Sequence, residues 1–454
     1  MGHAFGHYLW NRTKKTAMIY GLIIGVFLLG YAAIVFEHNL KIDKAAAALV
    51  TGVLCWTTYI LGGADIHHAE PLLLEHVSEI AGILFFLLGA MTIVEVVDAH
   101  EGFSVITSRL KTNNPVVLLW AVSLMTFFLS SVLDNLTTAI VMISLLRKLI
   151  KDQQLRWLFA GVVVIAANAG GAWSPIGDVT TTMLWIGQQI TAGSIIKGVF
   201  LTSMVSLLVP VIFLSFKLKG TLERPSEDVK LSNQSVTDRE RLIVLLAGIG
   251  GLLFVPVFKT VTHLPPFMGM MLSLGVLWLL TDLLHRRKED EHRQNLGVIH
   301  TLHKIDTASV LFFLGILLAV AALQAGGQLS DMALALDRWV GTSSETGVYV
   351  VGGLIGLLSA IIDNVPLVAA SMGMYPIELV SGSYFATDGL FWEYLAFTAG
   401  TGGSILIIGS AAGVAVMGLE KIPFGWYLKR ISGLALLGYL AGIAVYILQQ
   451  HFAG

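Results

Sequence analysis

The chain has 454 residues, of which 55% are hydrophobic and only 13% charged, with a net charge of −2. A soluble protein carries about 25% charged residues, so this length forms one membrane-embedded domain rather than three soluble ones. The near-neutral charge excludes a basic nucleic-acid surface, and a single cysteine, Cys55, excludes an intramolecular disulfide framework and any CxxC metal site.

Arg12, Lys14 and Lys15 precede an apolar run from Ala17 to Phe36. That run is long enough to cross roughly 30 Å of hydrocarbon. Its flank looks like that of a signal peptide, but the apolar core is too long and no clear A-x-A cleavage site follows, so it is expected to be a retained helix. A second segment covers 45–63. His67 and His68 follow it with Asp65 and Glu70 in an expected loop, which lacks an HExxH spacing and is read as solvated or pH-sensing rather than zinc-binding. Segment 79–98 opens on Glu79, expected as a helix cap or a residue of a proton pathway, and closes on Glu95 and Asp98, expected at the interface. The stretch 115–146 is about 30 residues, too long for one span and too short for two. Segments 157–190 and 195–217 complete the first half. A polar linker, 221–240, contains Pro225.

The second half contributes 241–258, 266–284, a solvated loop at 285–304 with the mixed run His285 to His292, then 307–324. Asp306 opens that last segment as Glu79 opens its own, and is likewise read as a cap. A second stretch of about 30 residues follows at 346–375, then segments 392–418 and 426–449. Each 30-residue stretch carries an Asp-Asn pair near its middle, Asp134-Asn135 and Asp363-Asn364. Two half-helices meeting at a polar tip satisfy that pattern, and such a re-entrant hairpin is tolerated only where the tip is buried in protein or lines a cavity.

The halves repeat each other. Ser130 to Asn135 (SSVLDN) recurs as Ser359 to Asn364 (SAIIDN), Leu84 to Leu87 as Leu311 to Leu314, and Asn168 to Ser174 faces Thr398 to Ser404, at offsets of 229, 227 and 230. Three ordered matches at nearly one offset indicate duplication. The expected units are an N-terminal repeat over 1–220, the linker 221–240 and a C-terminal repeat over 241–454. Five crossings and one hairpin per half force the second half to be inverted. With loop 147–156 inside, the inside loops hold 22 of the 28 Lys and Arg residues. The N-terminal basic cluster then falls in the periplasm, the one local conflict with the rule. The expected fold is thus an all-α polytopic membrane protein, an inverted repeat with two re-entrant hairpins and two interrupted transmembrane helices.

Such repeats place a binding site near the midplane where broken helices meet. Asn168 to Gly177 holds three glycines and Pro175 within an apolar span, and Thr398 to Gly413 holds five glycines and several hydroxyls. Unwound carbonyls there can coordinate an ion. Asp134, Asp178 and Asp363 lie inside apolar segments, where an ionised Asp costs roughly 3 kcal/mol. Capping of a half-helix is one reading of each. The other is ligation of a hard cation by the Asp-Asn pairs, with hydroxyls from Ser130, Ser359, Thr180, Thr181 and Ser404 and further polar groups from Asn168, Thr398 and Thr401. The counterpart of Asp178 falls near Ile408-Gly409-Ser410, which has no acid, so Asp178 is expected to have a task of its own, such as holding the proton. No Walker A motif supports ATP drive.

These residues, Ser130 to Thr138 (SSVLDNLTT), Asn168 to Thr182 (NAGGAWSPIGDVTTT), Ser359 to Pro366 (SAIIDNVP) and Thr398 to Gly413, resemble the NhaD-type sodium/proton antiporters of the ion transporter superfamily. The likeness covers essentially the whole chain. It implies the two hairpins, the two interrupted helices, elevator-like alternating access, and export of Na⁺ or Li⁺ in exchange for H⁺, with no resident cofactor. It also implies a homodimer, in a bacterial inner membrane. In the superfamily's dicarboxylate carriers the hairpin tip reads Ser-Asn-Thr. Here Asp stands in place of that Ser in both hairpins, and paired carboxylates repel a dicarboxylate. Na⁺ binds the ionised carboxylate and H⁺ the neutral one, so competition for Asp134 and Asp363 as central ligands, beside Asn135 and Asn364, couples the two flows. The alternatives are an anion carrier for dicarboxylate or arsenite on the same fold, and a cation channel. A protease is disfavoured because Ser404 has no nearby His.

Overall fold

The computed structural model describes residues 20–62, 66–107, 112–222, 236–286, 296–342, 344–380 and 382–453. The basic residues Arg12, Lys14 and Lys15, the acid Asp65, Pro225 in the linker and most of the mixed-charge run at 285–292 lie outside them. Nine helices among the described residues are long and apolar enough to cross a membrane, and every numbered element is an α-helix. The helices used below, spanning and shorter alike, are in chain order α1 Tyr20–Val35, α2 Lys44–Leu61, α3 Ile66–Ala99, α4 Pro115–Leu133, α5 Asn135–Leu149, α6 Gln153–Ala172, α7 Val179–Ile186, α8 Ala192–Lys217 and α9 Asp238–Thr262. There follow α10 Pro266–His285, α11 Thr307–Ala325, α12 Gln328–Val340, α13 Glu345–Leu358, α14 Asn364–Met374, α15 Leu390–Gly402, α16 Ala411–Glu420, α17 Phe424–Arg430 and α18 Ser432–Ala453.

The helices begin where the sequence supplies caps. Asp43, Asn114, Asp152, Thr191 and Thr237 each accept a backbone N–H of the first turn, and Thr237 with Glu240 forms a capping box. Asp306 caps α11 by accepting from the N–H of Ser309 at 3.0 Å, as the sequence predicts. Glu79 departs from its expected position. Helix α3 starts at Ile66, so Glu79 sits mid-helix with a 70% exposed side chain, 3.6 Å from His76. His67 and His68 likewise belong to the first turn of α3 rather than to a loop. Three more elements differ from the expectation. Helix α4, expected as the first arm of a hairpin, is 19 residues long, enough to span by itself. Segment 426–449 divides at Ile431 into α17 and α18. Helix α12, which pairs an apolar face with Asp331, Asp337 and Arg338, occupies a stretch with no apolar run of spanning length.

The chain folds into two compact units that are not its two halves. One contains the described residues up to Leu84, with Asp306–Gly347 and Ala369–Pro376. Within it α2 lies against α11, and the Trp56 indole N–H donates to the carbonyl of Leu318 at 2.9 Å. The other unit comprises Phe85–Ile305, Val348–Val368 and the chain from Ile377 onward. Its core is built on α4, α5 and α6, with Leu119, Val122, Phe127, Met142, Ile143, Phe159 and Val163 fully buried. All the polar residues that sequence assigns to the hairpin tips and helix breaks lie in this second unit.

Candidate cation site

Each Asp-Asn turn, the expected hairpin tip, is placed by hydroxyl and glycine contacts to a helix break. The Ser130 hydroxyl donates to the carbonyl of Ala167 at 2.6 Å, and the Ser359 hydroxyl to that of Ala399 at 2.7 Å. A Cβ on Gly177 would lie 2.7 Å from the Ser130 carbonyl oxygen, and one on Gly409 would lie 2.6 Å from that of Ser359. Gly170 and Gly402 meet the carbonyls of Phe127 and Gly356 more closely still. Only glycine permits backbone against backbone at such range. The two halves thus dock tip to break through the same set of contacts.

The breaks themselves cover 173–178, between α6 and α7, and 403–410, between α15 and α16. Asp178 caps α7, accepting from the Thr180 N–H and hydroxyl, each at 2.9 Å. Asp134 caps α5, accepting from the Thr137 N–H and hydroxyl, each at 2.8 Å, and takes a left-handed φ of 75° to turn the chain. Such a conformation costs an ordinary residue about 1–3 kcal/mol and persists where its surroundings enforce it. Asp363 accepts from the N–H of Val365 at 3.2 Å, at the start of α14. Capping therefore describes all three acids, and it leaves their second oxygens or second lone pairs for other duties.

The network converges on Asp178, which is 2% exposed. The Asn135 amide donates to Asp178 Oδ2 at 2.7 Å, and the Asn364 amide approaches it at 3.3 Å. One asparagine from each hairpin tip therefore meets the same carboxylate. Asn135 Nδ2 also donates to Asn168 Oδ1 at 3.0 Å. Asn168 Nδ2 in turn donates to the hydroxyls of Ser404 and Ser410, both at 2.9 Å. Asn135, Asn168 and Asn364 are all buried. The sequence singled out each of these except Ser410. That serine stands where an equivalent of Asp178 is looked for, and caps α16 just as Asp178 caps α7. The signal was positional, and a search for an acid passes over it.

Thr181 Oγ1 is fully buried and has no hydrogen-bond partner among the described residues. Thr398 and Thr401 instead turn back onto their own helix, to the carbonyls of Leu395 and Phe397 at 3.4 and 2.6 Å. Glu79 pairs with His76 and is no member of this network. Among the described residues no Lys, Arg or His forms an ion pair with Asp134, Asp178 or Asp363. Asp134 and Asp178 line one small cavity of about 20 Å³, roofed by Phe86, Met91, Leu252 and Met270. That volume holds roughly one water-sized particle. The charge of the site is negative, uncompensated and enclosed, an arrangement suited to a single desolvated cation.

Comparison with known proteins identifies the family. A family model described as a citrate transporter matches residues 31–392. Sodium/proton antiporter 1 of Arabidopsis thaliana is 50% identical over 439 residues, covering 96% of this chain and 72% of that one. The Na(+)/H(+) antiporter NhaD of Vibrio cholerae is 31% identical, covering 94% and 91%, and that of Alkalimonas amylolytica 30%, covering 95% and 91%. Among solved structures, the YdaH transporter of Alcanivorax borkumensis superposes with a TM-score of 0.54 at 13% identity, over 86% of this chain and 90% of that one, a likeness of fold alone. A model match along most of the chain, and relatives of this identity along nearly all of it, place the chain in the citrate transporter family and, within the ion transporter superfamily, among the NhaD-type sodium/proton antiporters.

Proposed function

We propose that the chain exports Na⁺ or Li⁺ in exchange for H⁺, the two competing for Asp178 and the carboxylates beside it. The observation that carries this reading is the pair Asp134 and Asp178, without a basic partner among the described residues, on the wall of a cavity the size of one ion, with Asp363 near enough to act on Asp178. An uncompensated buried charge costs several kcal/mol, so the site must hold a cation or protons. Exclusive occupancy by one or the other is the requirement of an antiporter. Sodium shed of its water needs replacement oxygens. Asp178 and Asp134 supply them from the cavity wall, with Thr181 and the amide oxygens of Asn135 and Asn364 completing the set. Asp363 and the Thr180 hydroxyl steady this arrangement, and Asn168 binds it to Ser404 and Ser410 across the second break.

The same acids weigh against the citrate of the family model's description, because a tricarboxylate would meet only like charge in this cavity. The paired glycine contacts and the bias of basic residues support two inverted repeats whose hairpins re-enter the membrane, moving by alternating access. We place the protein in a bacterial cytoplasmic membrane as a homodimer, as the NhaD likeness implies. Reconstitution into proteoliposomes with an internal pH dye tests the function. Na⁺ and Li⁺, but not K⁺, should drive proton flux. Citrate uptake without cation-driven proton flux would make it an anion carrier, and conductance without exchange a channel.

A further inference from the structure

Glu393 lies in the first turn of α15 and is 6% exposed, in the same compact unit as the cation site. The sequence marked nothing there, since 392–418 drew attention for its glycines. The Ser194 hydroxyl of α8 makes a short hydrogen bond to Glu393 Oε1, and the Tyr446 hydroxyl of α18 stands 3.4 Å from Oε2. Gly198, one turn beyond Ser194, is the residue that leaves room for the carboxyl group, because a Cβ there would strike Oε2. The carboxyl forms part of the wall of a cavity of about 620 Å³, with Lys197, Leu201, Gln449 and Phe452. That space accommodates many waters. Among the described residues no basic group forms an ion pair with Glu393, Lys197 included.

From this geometry we infer that Glu393 is a second proton-binding site of the transport unit. Its two partners are hydroxyls, which donate to a carboxylate and accept from a carboxylic acid. Both protonation states are therefore satisfied without moving a helix. The proton comes from water in the cavity and returns to it. The groups around Glu393 are few. Lys197 and Ser194 face it from α8, Tyr446 from α18, and Asp388 acts on it from the preceding segment. His451 is the other titratable group of that end of α18. Helix α13 brings Tyr349, whose ring lies 5.2 Å from that of Tyr394 and 6.4 Å from that of Tyr446. Helix α7 has no charged residue, and the one in α6, Arg156, pairs with Glu420 at 2.7 Å. Helix α15 runs from Glu393 to the second break, where Ser404 takes the Asn168 amide, so a charge change at Glu393 acts on the helix that carries the cation network.

The inference rests on the antiport reading for what the proton drives, though not for its binding. Two measurements on the purified full chain test it: infrared difference spectra between acid and alkaline buffer, and the pH profile of Na⁺-driven proton flux in proteoliposomes. Glu393→Gln keeps the size of the group and its hydrogen bonds but cannot carry a proton. It should delete one protonated-carboxyl band and flatten one limb of the profile by about tenfold per pH unit. Ser194→Ala should keep the band, shifted, and move the limb without flattening it. A Glu393→Gln spectrum and profile that superimpose on those of the unmutated chain would overturn the assignment. If that variant does not fold, an unshifted band and limb in Ser194→Ala overturn it instead. The infrared band decides proton binding even in a chain that exchanges nothing, so the two readings fail separately.

Discussion

Asp178→Asn is the substitution that most directly probes the site. Asparagine caps a helix about as well as aspartate, so its Oδ1 can still accept from the Thr180 N–H and hydroxyl at 2.9 Å, and α7 keeps its start. The new amide nitrogen then replaces Oδ2, where Asn135 Nδ2 stands at 2.7 Å and Asn364 Nδ2 at 3.3 Å. Donor faces donor, and turning Asn135 away breaks its bond to Asn168. An unsatisfied buried polar group costs about 1–3 kcal/mol, a loss that most folded chains survive. The effect on the cation is larger. A carboxylate 2.4 Å from Na⁺ is worth about 7 kcal/mol at an effective dielectric constant near 20. If half of that is offset by desolvation, affinity still falls more than about a hundredfold. The assay is Na⁺-driven proton flux in proteoliposomes, with thermal unfolding in detergent as the control for folding. Half-saturation by Na⁺ within threefold of the unmutated chain would refute the central place of Asp178. Loss of flux in Asp363→Asn alone, with Asp178→Asn normal, would return that place to the hairpin tips.

Three further outcomes follow from the packing and the polar network. Gly170→Ala drives a methyl into the Phe127 carbonyl, backbone that cannot yield cheaply, and should cost about 1–3 kcal/mol or more, read as a lower unfolding temperature together with lost flux; normal unfolding would show that tip and break are loosely joined. Glu420→Gln breaks contacts at 2.7 Å to Arg147 and Arg156. A fully buried pair is worth about 3–5 kcal/mol when broken, but Arg147 is 47% exposed and its share is screened, so a loss of about 2–3 kcal/mol is expected in detergent unfolding. Asn168→Ala strips the donor from Ser404 and Ser410 and the acceptor from Asn135. It should raise the Na⁺ concentration for half-maximal flux by about tenfold, one buried hydrogen bond's worth, and an unchanged value would remove Asn168 from the site.

Much of this arrangement is legible in the sequence because it depends on composition and order along the chain. Apolar length marks the spans, and glycine clusters mark the breaks at 173–178 and 403–410. The duplicated Asp-Asn pairs mark the tips. The hierarchy among the acids is not legible, since Asp134 and Asp363 carry the repeat signal while Asp178 collects the hydrogen bonds. That outcome depends on which way two asparagine amides point, a three-dimensional matter. Glu79 misled because α3 continues upstream through Pro71, a residue that ordinarily breaks a helix and here lies inside one. Ser410 and Glu393 escaped notice for a shared reason. Ser410 is an uncharged residue at the position matching Asp178, and Glu393 is a single polar residue in an apolar run, so the importance of each comes from what folds against it.

The bonds from Asn168 to Ser404 and Ser410, and the approach of Asn364 to Asp178, all cross from one half of the sequence to the other. Neither half on its own can close the network. A chain of half this length would need a second copy of itself to make these bonds. Within one chain, two copies are free to diverge. Asp178 and Ser410, cap residues at matching positions, record that divergence: one half kept or acquired the charge, and the other kept only the hydroxyl that supports it.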